Sequence, residues 1–200
     1  MDYLPIRRAL LSVTHKEGLA GLAGLLVERN VELVSTGGTL SVLREAGLPV
    51  TPVSSVTNYP EILGGRVKTL HPSIHGGILA DKDNPAHLAK LVEMRIEPFD
   101  LICVNLYDFA SAVAAGQPPD KAVEEIDIGG PCMIRAAAKN YNSVLVLPET
   151  AVYEEFKAEF VCRAGSVSLD FRRRMAVRGF SLTAAYDAMI ADYLGRSLAD

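Results

Sequence analysis

The chain has no tryptophan, only three cysteines in 200 residues, and aromatic side chains at 6%. Aromatics this sparse and scattered build no stacking platform of the kind single-stranded nucleic acid needs. Cys103, Cys132 and Cys162 are odd in number, widely spaced and in no C-x-x-C arrangement. They suggest neither a disulfide framework nor a zinc site, and they fit a reducing, cytoplasmic setting. No apolar run approaches the length of a bilayer-spanning helix, and the amino-terminal MDYLPIRRALLSV carries only a short apolar run without a cleavage pattern, so no membrane partner is expected. Also missing are G-x-x-x-x-G-K-S/T and, after a strand, G-x-G-x-x-G, which argues against an ATPase or a dinucleotide oxidoreductase. His71 and His75 stand four apart, but the glutamate of H-E-x-x-H is absent and no third ligand is spaced nearby, so no metal is expected. The formal net charge of −4 argues against a nonspecific nucleic-acid binder and requires any anion site to be local.

What is present is a globular balance, 49% hydrophobic and 22% charged, over a length that suits one domain, residues 1–200, with a sizeable core. Arg8–Val13 reads as a buried strand, Glu17–Asn30 as a helix with Leu19, Leu22 and Leu26 on one face, Val31–Val34 as a second strand, and Leu40–Ala46 as a second helix closed by Gly47. Two strand-loop-helix units in succession imply a parallel sheet with right-handed crossovers, and they place their polar loops along one carboxyl edge, where such sheets bind ligands. Leu48–Val53 is at best a short edge strand because of Pro49 and Pro52. Ser54–Gly77 shows no long periodic element. Pro85–Arg95 reads as a helix, Phe99–Leu106 as the strand at the sheet's centre, Ala110–Ala115 and Lys121–Ile126 as short helices, and Pro131 as the first turn of another helix. Ser143–Leu147 is the last strand, followed by helices Ala151–Cys162 and Asp170–Leu198.

The loops suggest a phosphate site. Ser35-Thr36-Gly37-Gly38-Thr39 sets a glycine pair at a helix start, with hydroxyl donors around it and Lys16 on the neighbouring loop. The competing reading is a plain Ser/Thr N-cap. Gly64–Gly77 (GGRVKTLHPSIHGG) concentrates glycine pairs with Arg66, Lys68 and His71, donors that suit an anionic or carbonyl-rich ligand. His71 could equally precede Pro72 in the first turn of a short helix. Lys68, Tyr107, Asp127 and Lys139 are the candidate catalytic set, because each falls at a polar loop or helix start on the expected ligand edge. Individually they read as a solvated helix end (Lys139), a helix cap (Asp127) or a core ring with an exposed hydroxyl (Tyr107), and only convergence makes a site. Cys132 reads as a packing residue.

Six segments taken together carry a resemblance: Ser12–Lys16 (SVTHK), Ser35–Thr39 (STGGT), Gly65–Pro72 (GRVKTLHP), Asn105–Tyr107 (NLY), Ile126–Pro131 (IDIGGP) and Arg135–Asn140 (RAAAKN). In order and spacing this set closely resembles the IMP cyclohydrolase domain of the bifunctional purine biosynthesis (PurH) family. Thr183–Asp187 (TAAYD) resembles the helix that follows that core, so the similarity covers nearly the whole chain.

The resemblance implies a three-layer α/β/α, methylglyoxal-synthase-like fold with a mainly parallel central sheet. The implied reaction is closure of 5-formamidoimidazole-4-carboxamide ribotide to IMP with loss of water, without a cofactor, in a homodimer. It assigns the 5′-phosphate to Lys16 with Thr14, Ser35, Gly38 and Thr39, beside Ser12, Thr36 and Gly37. It assigns the base to Arg66, Lys68, Thr69, Asn105, Tyr107, Asp127, Gly129 and Gly130. Lys68, Tyr107 and Lys139 would position the reacting groups and stabilise charge, and Asp127 would assist proton transfer. The chain departs from the family with His15 for Asp, Asp108 for Pro and Cys132 for Thr. It also stops where the family continues into a formyltransferase domain, leaving open a stand-alone enzyme or a truncated chain. Methylglyoxal synthase and a noncatalytic nucleotide-sensing module are the competing readings of the same fold.

Overall fold

The computed structural model describes residues 1–116 and 118–196. Its strands are β1 (Tyr3–Pro5), β2 (Arg8–Ser12), β3 (Glu32–Ser35), β4 (Thr51–Pro52), β5 (Leu101–Val104), β6 (Leu145–Leu147) and β7 (Ser166–Ser168). Its α-helices are α1 (Leu19–Glu28), α2 (Gly37–Glu45), α3 (Val53–Thr57), α4 (Pro72–Leu79), α5 (Pro85–Glu93), α6 (Phe109–Ala114), α7 (Pro119–Glu124), α8 (Gly129–Lys139), α9 (Tyr153–Cys162) and α10 (Leu169–Arg196). The expected end of the last helix at Leu198 lies outside the described residues.

Five strands form a parallel sheet in the order β4-β3-β2-β5-β6. The centre is therefore Arg8–Ser12, not Phe99–Leu106 as its apolarity suggests. Both segments are continuous apolar runs buried on two faces, so composition cannot rank them; chain order does. The chain leaves β2 toward β3 and β4, then crosses back to lay β5 on the other side of β2. With right-handed crossovers this reversal puts helices on both faces, giving three layers. The reversal also opens a crevice between the carboxyl ends of β2 and β5.

Periodicity explains most helices. In α1, Leu19, Leu22, Ala23 and Leu26 are buried on one stripe, and Asn30 ends the segment at φ 60°, a left-handed conformation asparagine tolerates better than most residues. The segment Ser54–Gly77 is less irregular than its sequence suggests. It holds most of α3, a 3₁₀ turn at Leu63–Gly65, and the start of α4. His71 is the N-cap of α4, its Nδ1 accepting from the Ser73 N–H at 3.1 Å, and Pro72 opens the helix, so the modest reading of His71 is the observed one. The antiparallel pair β1–β7 is too short, and too interrupted by Pro5, to show a period.

Polar groups tie down the amino edge of the sheet. Asp100 accepts from the N–H groups of Arg7 and Arg8 at 2.8 and 2.9 Å and pairs with Lys82. Arg172 on α10 is fully buried and donates to the carbonyls of Met1, Tyr141, Asn142 and Val167.

Candidate active site

A cleft of about 770 Å³ lies along the carboxyl edge at the β2/β5 crevice, the place the topology dictates. Asn105, just after β5, holds its two walls together. Its Oδ1 accepts from the N–H groups of Thr14 (2.6 Å) and His15 (3.2 Å), and its Nδ2 donates to the His15 carbonyl at 3.0 Å. This side chain lines the cleft, but its hydrogen-bonding capacity is spent on building the loop.

At one end stands the start of α2. Thr36 occupies the N-cap but makes no side-chain cap hydrogen bond, which disposes of the plain-cap reading. Gly37 and Gly38 are exposed to the cleft, so the positive helix end faces it with backbone N–H groups available. Lys16 reaches over the same turn: its Nζ donates to the Thr14 carbonyl at 3.2 Å and lies 3.8 Å from where a Cβ on Gly38 would sit. Two expected phosphate ligands serve otherwise. Ser35 is buried and outside the lining, its hydroxyl donating to the Leu11 carbonyl at 2.7 Å. Thr39 lines the cleft, but its hydroxyl is exchanged with the Val13 backbone, donating to the carbonyl and accepting from the N–H, both at 2.9 Å. Both stitch β2 to the β3 loop, which a β-edge hydroxyl does whenever a neighbouring carbonyl is in reach. Ser12 and Thr14 complete this wall.

At the other end Asp127 precedes α8. Its Oδ1 accepts from the Gly130 N–H at 2.9 Å. Burial raises its pKa, against the opposing pull of the N–H groups of Gly130, Tyr107 and Gly129 and the charge of Lys68. A carboxyl held above its ordinary range beside a helix start suits proton transfer. Gly130 is required there: a Cβ would fall 2.9 Å from Asp127 Cγ and 3.0 Å from Leu106 Cδ2. Lys68 lies between the two ends, its Nζ 3.8 Å from where a Cβ on Gly37 would sit and 3.1 Å from Glu61 Oε1, with its charge still felt by Asp127. Thr69 and Tyr107 line the same region, and Arg66 is paired with Glu124 of α7 across the rim.

Lys139 is not brought to the cleft. It is exposed at the last residue of α8, and at about 1.5 Å rise per residue the helix carries it roughly 15 Å from Gly129. The sequence set Lys139 on the ligand edge with the others, and its position at the far end of the helix opened by Pro131 matches the alternative reading, a solvated helix end. Reasoning missed Glu61, Glu124 and Tyr186, the last through its hydroxyl, which accepts the Asp127 N–H at 2.8 Å. It also missed the apolar rim. Leu63 is 70% exposed at φ 54° and Ile128 is 57% exposed, both lining the cleft. A leucine in left-handed backbone is strained, and strain of this kind collects at functional sites. Among the described residues no His/Cys/Asp/Glu group is arranged to hold a metal ion, and no helix is long and apolar enough to cross a membrane.

A family model described as the MGS-like domain matches residues 18–132, more than half of the chain. The chain belongs to the MGS-like domain family. Its match contains α2, Lys68, Tyr107, Asp127 and the start of α8, but stops before α10. A second model, the AICARFT/IMPCHase bienzyme, matches residues 137–200. The bifunctional purine biosynthesis protein PurH of Dinoroseobacter shibae is 50% identical over 199 residues, covering 100% of this chain and 38% of that protein. PurH of Halalkalibacterium halodurans is 53% identical over 189 residues, covering 94% of this chain and 37% of that protein. The chain thus spans less than two fifths of the length of these curated relatives. A crystal structure of ForH superposes with a TM-score of 0.84 at 33% identity, covering 94% of this chain and 97% of that one.

Proposed function

We propose that this MGS-like domain is an IMP cyclohydrolase that closes 5-formamidoimidazole-4-carboxamide ribotide to IMP. One observation carries the reading. A single cleft has an uncapped helix start with Lys16 at one end, a carboxyl of raised pKa at the other, and Lys68 between them. Its volume suits a nucleotide, and the exposed apolar rim at Leu63 and Ile128 suits a flat ring system between the two ends.

In this reading the phosphate sits on the Gly37–Gly38 turn and Lys16. The carboxamide nitrogen attacks the formyl carbon of the same molecule, so holding both groups in the reactive rotamer supplies much of the acceleration. The formyl oxygen gains negative charge as the C–N bond forms, and Lys68 Nζ stabilises it. Asp127 passes one proton from the carboxamide nitrogen to that oxygen, giving a carbinol; a second proton, from the formamido N–H, then reaches the hydroxyl, the C–O bond breaks, and one water leaves as the new C=N bond completes the aromatic ring. Tyr107 and Thr69 orient the base. Lys139 is given no step. The reading includes the homodimer that the resemblance implies and the cytoplasmic setting that the cysteines fit, the former to be checked by light scattering on the purified protein.

Absorbance assays of the pure protein with the formamido ribotide and, in parallel, with dihydroxyacetone phosphate test it. IMP from the first alone supports the reading. No IMP overturns it, with methylglyoxal from the second pointing to a synthase and binding of IMP without turnover to a sensor.

A further inference from the structure

We infer that Tyr186, on α10, is a positioning residue for the reaction centre, its hydroxyl fixing the backbone of Asp127 from a helix outside the segment that the MGS-like model matches. The inference rests on the function proposed above.

Tyr186 is only 5% exposed, and its Oη accepts the Asp127 N–H at 2.8 Å. That N–H belongs to the residue whose carboxyl is set by Gly130 on the other side, so Asp127 is gripped at its backbone by α10 and at its side chain by α8. The ring is itself fixed. It packs edge-on against Phe109 at 6.5 Å between centroids, and the Phe109 N–H donates to the Tyr107 carbonyl at 2.9 Å. One side chain therefore bears on two of the loops that carry candidate catalytic groups, directly on that of Asp127 through a hydrogen bond and on that of Tyr107 by way of Phe109.

The register of α10 is set two turns away. Gly179, Thr183 and Tyr186 are all buried along one face of the helix. A Cβ on Gly179 would stand 3.1 Å from Ile134 Cγ2 on α8 and 3.5 Å from Val146 Cγ1 on β6. This close approach fixes the height of the Tyr186 hydroxyl against the start of α8. A tyrosine serving only to fill the core would need its ring but not its oxygen.

Tyr186→Phe removes the oxygen and keeps the ring, so the variant should fold. The expected result with the full chain is kcat lowered roughly tenfold with KM for the ribotide changed less than about threefold. Amide hydrogen exchange at Asp127, followed by NMR, should accelerate by a similar factor. Unchanged kcat, or a change confined to thermal stability, overturns the positioning role; unchanged exchange at Asp127 overturns the contact on which it stands. Absence of IMP with the wild-type protein sinks the proposed function instead, and the exchange rate still reads the contact independently of turnover.

Discussion

Replacing Asp127 by asparagine separates the two duties the structure gives that residue. The amide keeps an oxygen for the Gly130 N–H, now 2.9 Å from Oδ1, and it keeps the backbone N–H that donates to Tyr186. Local geometry should therefore survive while proton transfer is lost. General acid-base assistance is worth about 10²–10⁴-fold, or roughly 2.7–5.4 kcal/mol of barrier, and kcat should fall within that range. Affinity for IMP, measured by calorimetry, should change less than about threefold, because the anion end of the cleft is untouched. The pH behaviour adds a second reading. Burial holds this carboxyl above the ordinary carboxylate range, so the folded state binds more protons than the unfolded one between the unfolded and folded pKa values. Its contribution to stability is fully present below the unfolded pKa and is lost as pH rises through the folded pKa. Asp127→Asn should therefore be more stable than the parent at neutral pH relative to acid pH, while being far less active, and it should lose the acid limb of kcat/KM, which reports the carboxylate that first accepts the proton. A variant with undiminished kcat, or one that loses activity only in step with lost stability, refutes the assignment.

Gly130→Ala should lower kcat/KM roughly 100-fold, since its Cβ would push against Asp127 Cγ at 2.9 Å and misplacement of a reacting group by about 1 Å costs that much; steady-state kinetics read it. Lys16→Ala should raise KM about 10- to 100-fold by removing a charged phosphate donor, whereas Ser35→Ala should leave KM unchanged and cost about 1 kcal/mol of stability in urea titrations, because its hydroxyl serves Leu11. Arg172→Leu removes a buried donor from the carbonyls of Met1, Tyr141, Asn142 and Val167. It should cost about 3–5 kcal/mol, a Tm lower by roughly 6–20 °C, with kcat per folded molecule intact.

The sequence by itself determined the alternation of strands and helices, because a period near 3.6 or a short apolar run is written locally, as in Leu19–Leu26 and Leu101–Val104. It also determined that polar loops such as Ser35–Thr39 and Ile126–Gly130 lie at the carboxyl ends of strands or the starts of helices. The ordered motifs pointed to the PurH family without any coordinates. Tertiary structure alone decided which strand is central, since β2 and β5 are equally apolar and only pairing ranks them. It alone decided which way each hydroxyl turns, so that Ser35 and Thr39 face the backbone while the Gly37–Gly38 turn faces the cleft. It removed Lys139 from the cleft by the length of one helix, and it brought Tyr186 to Asp127 across 59 positions of sequence. Proximity in a folded chain depends on crossovers and helix registers summed over many residues, and no local pattern of residues encodes that sum.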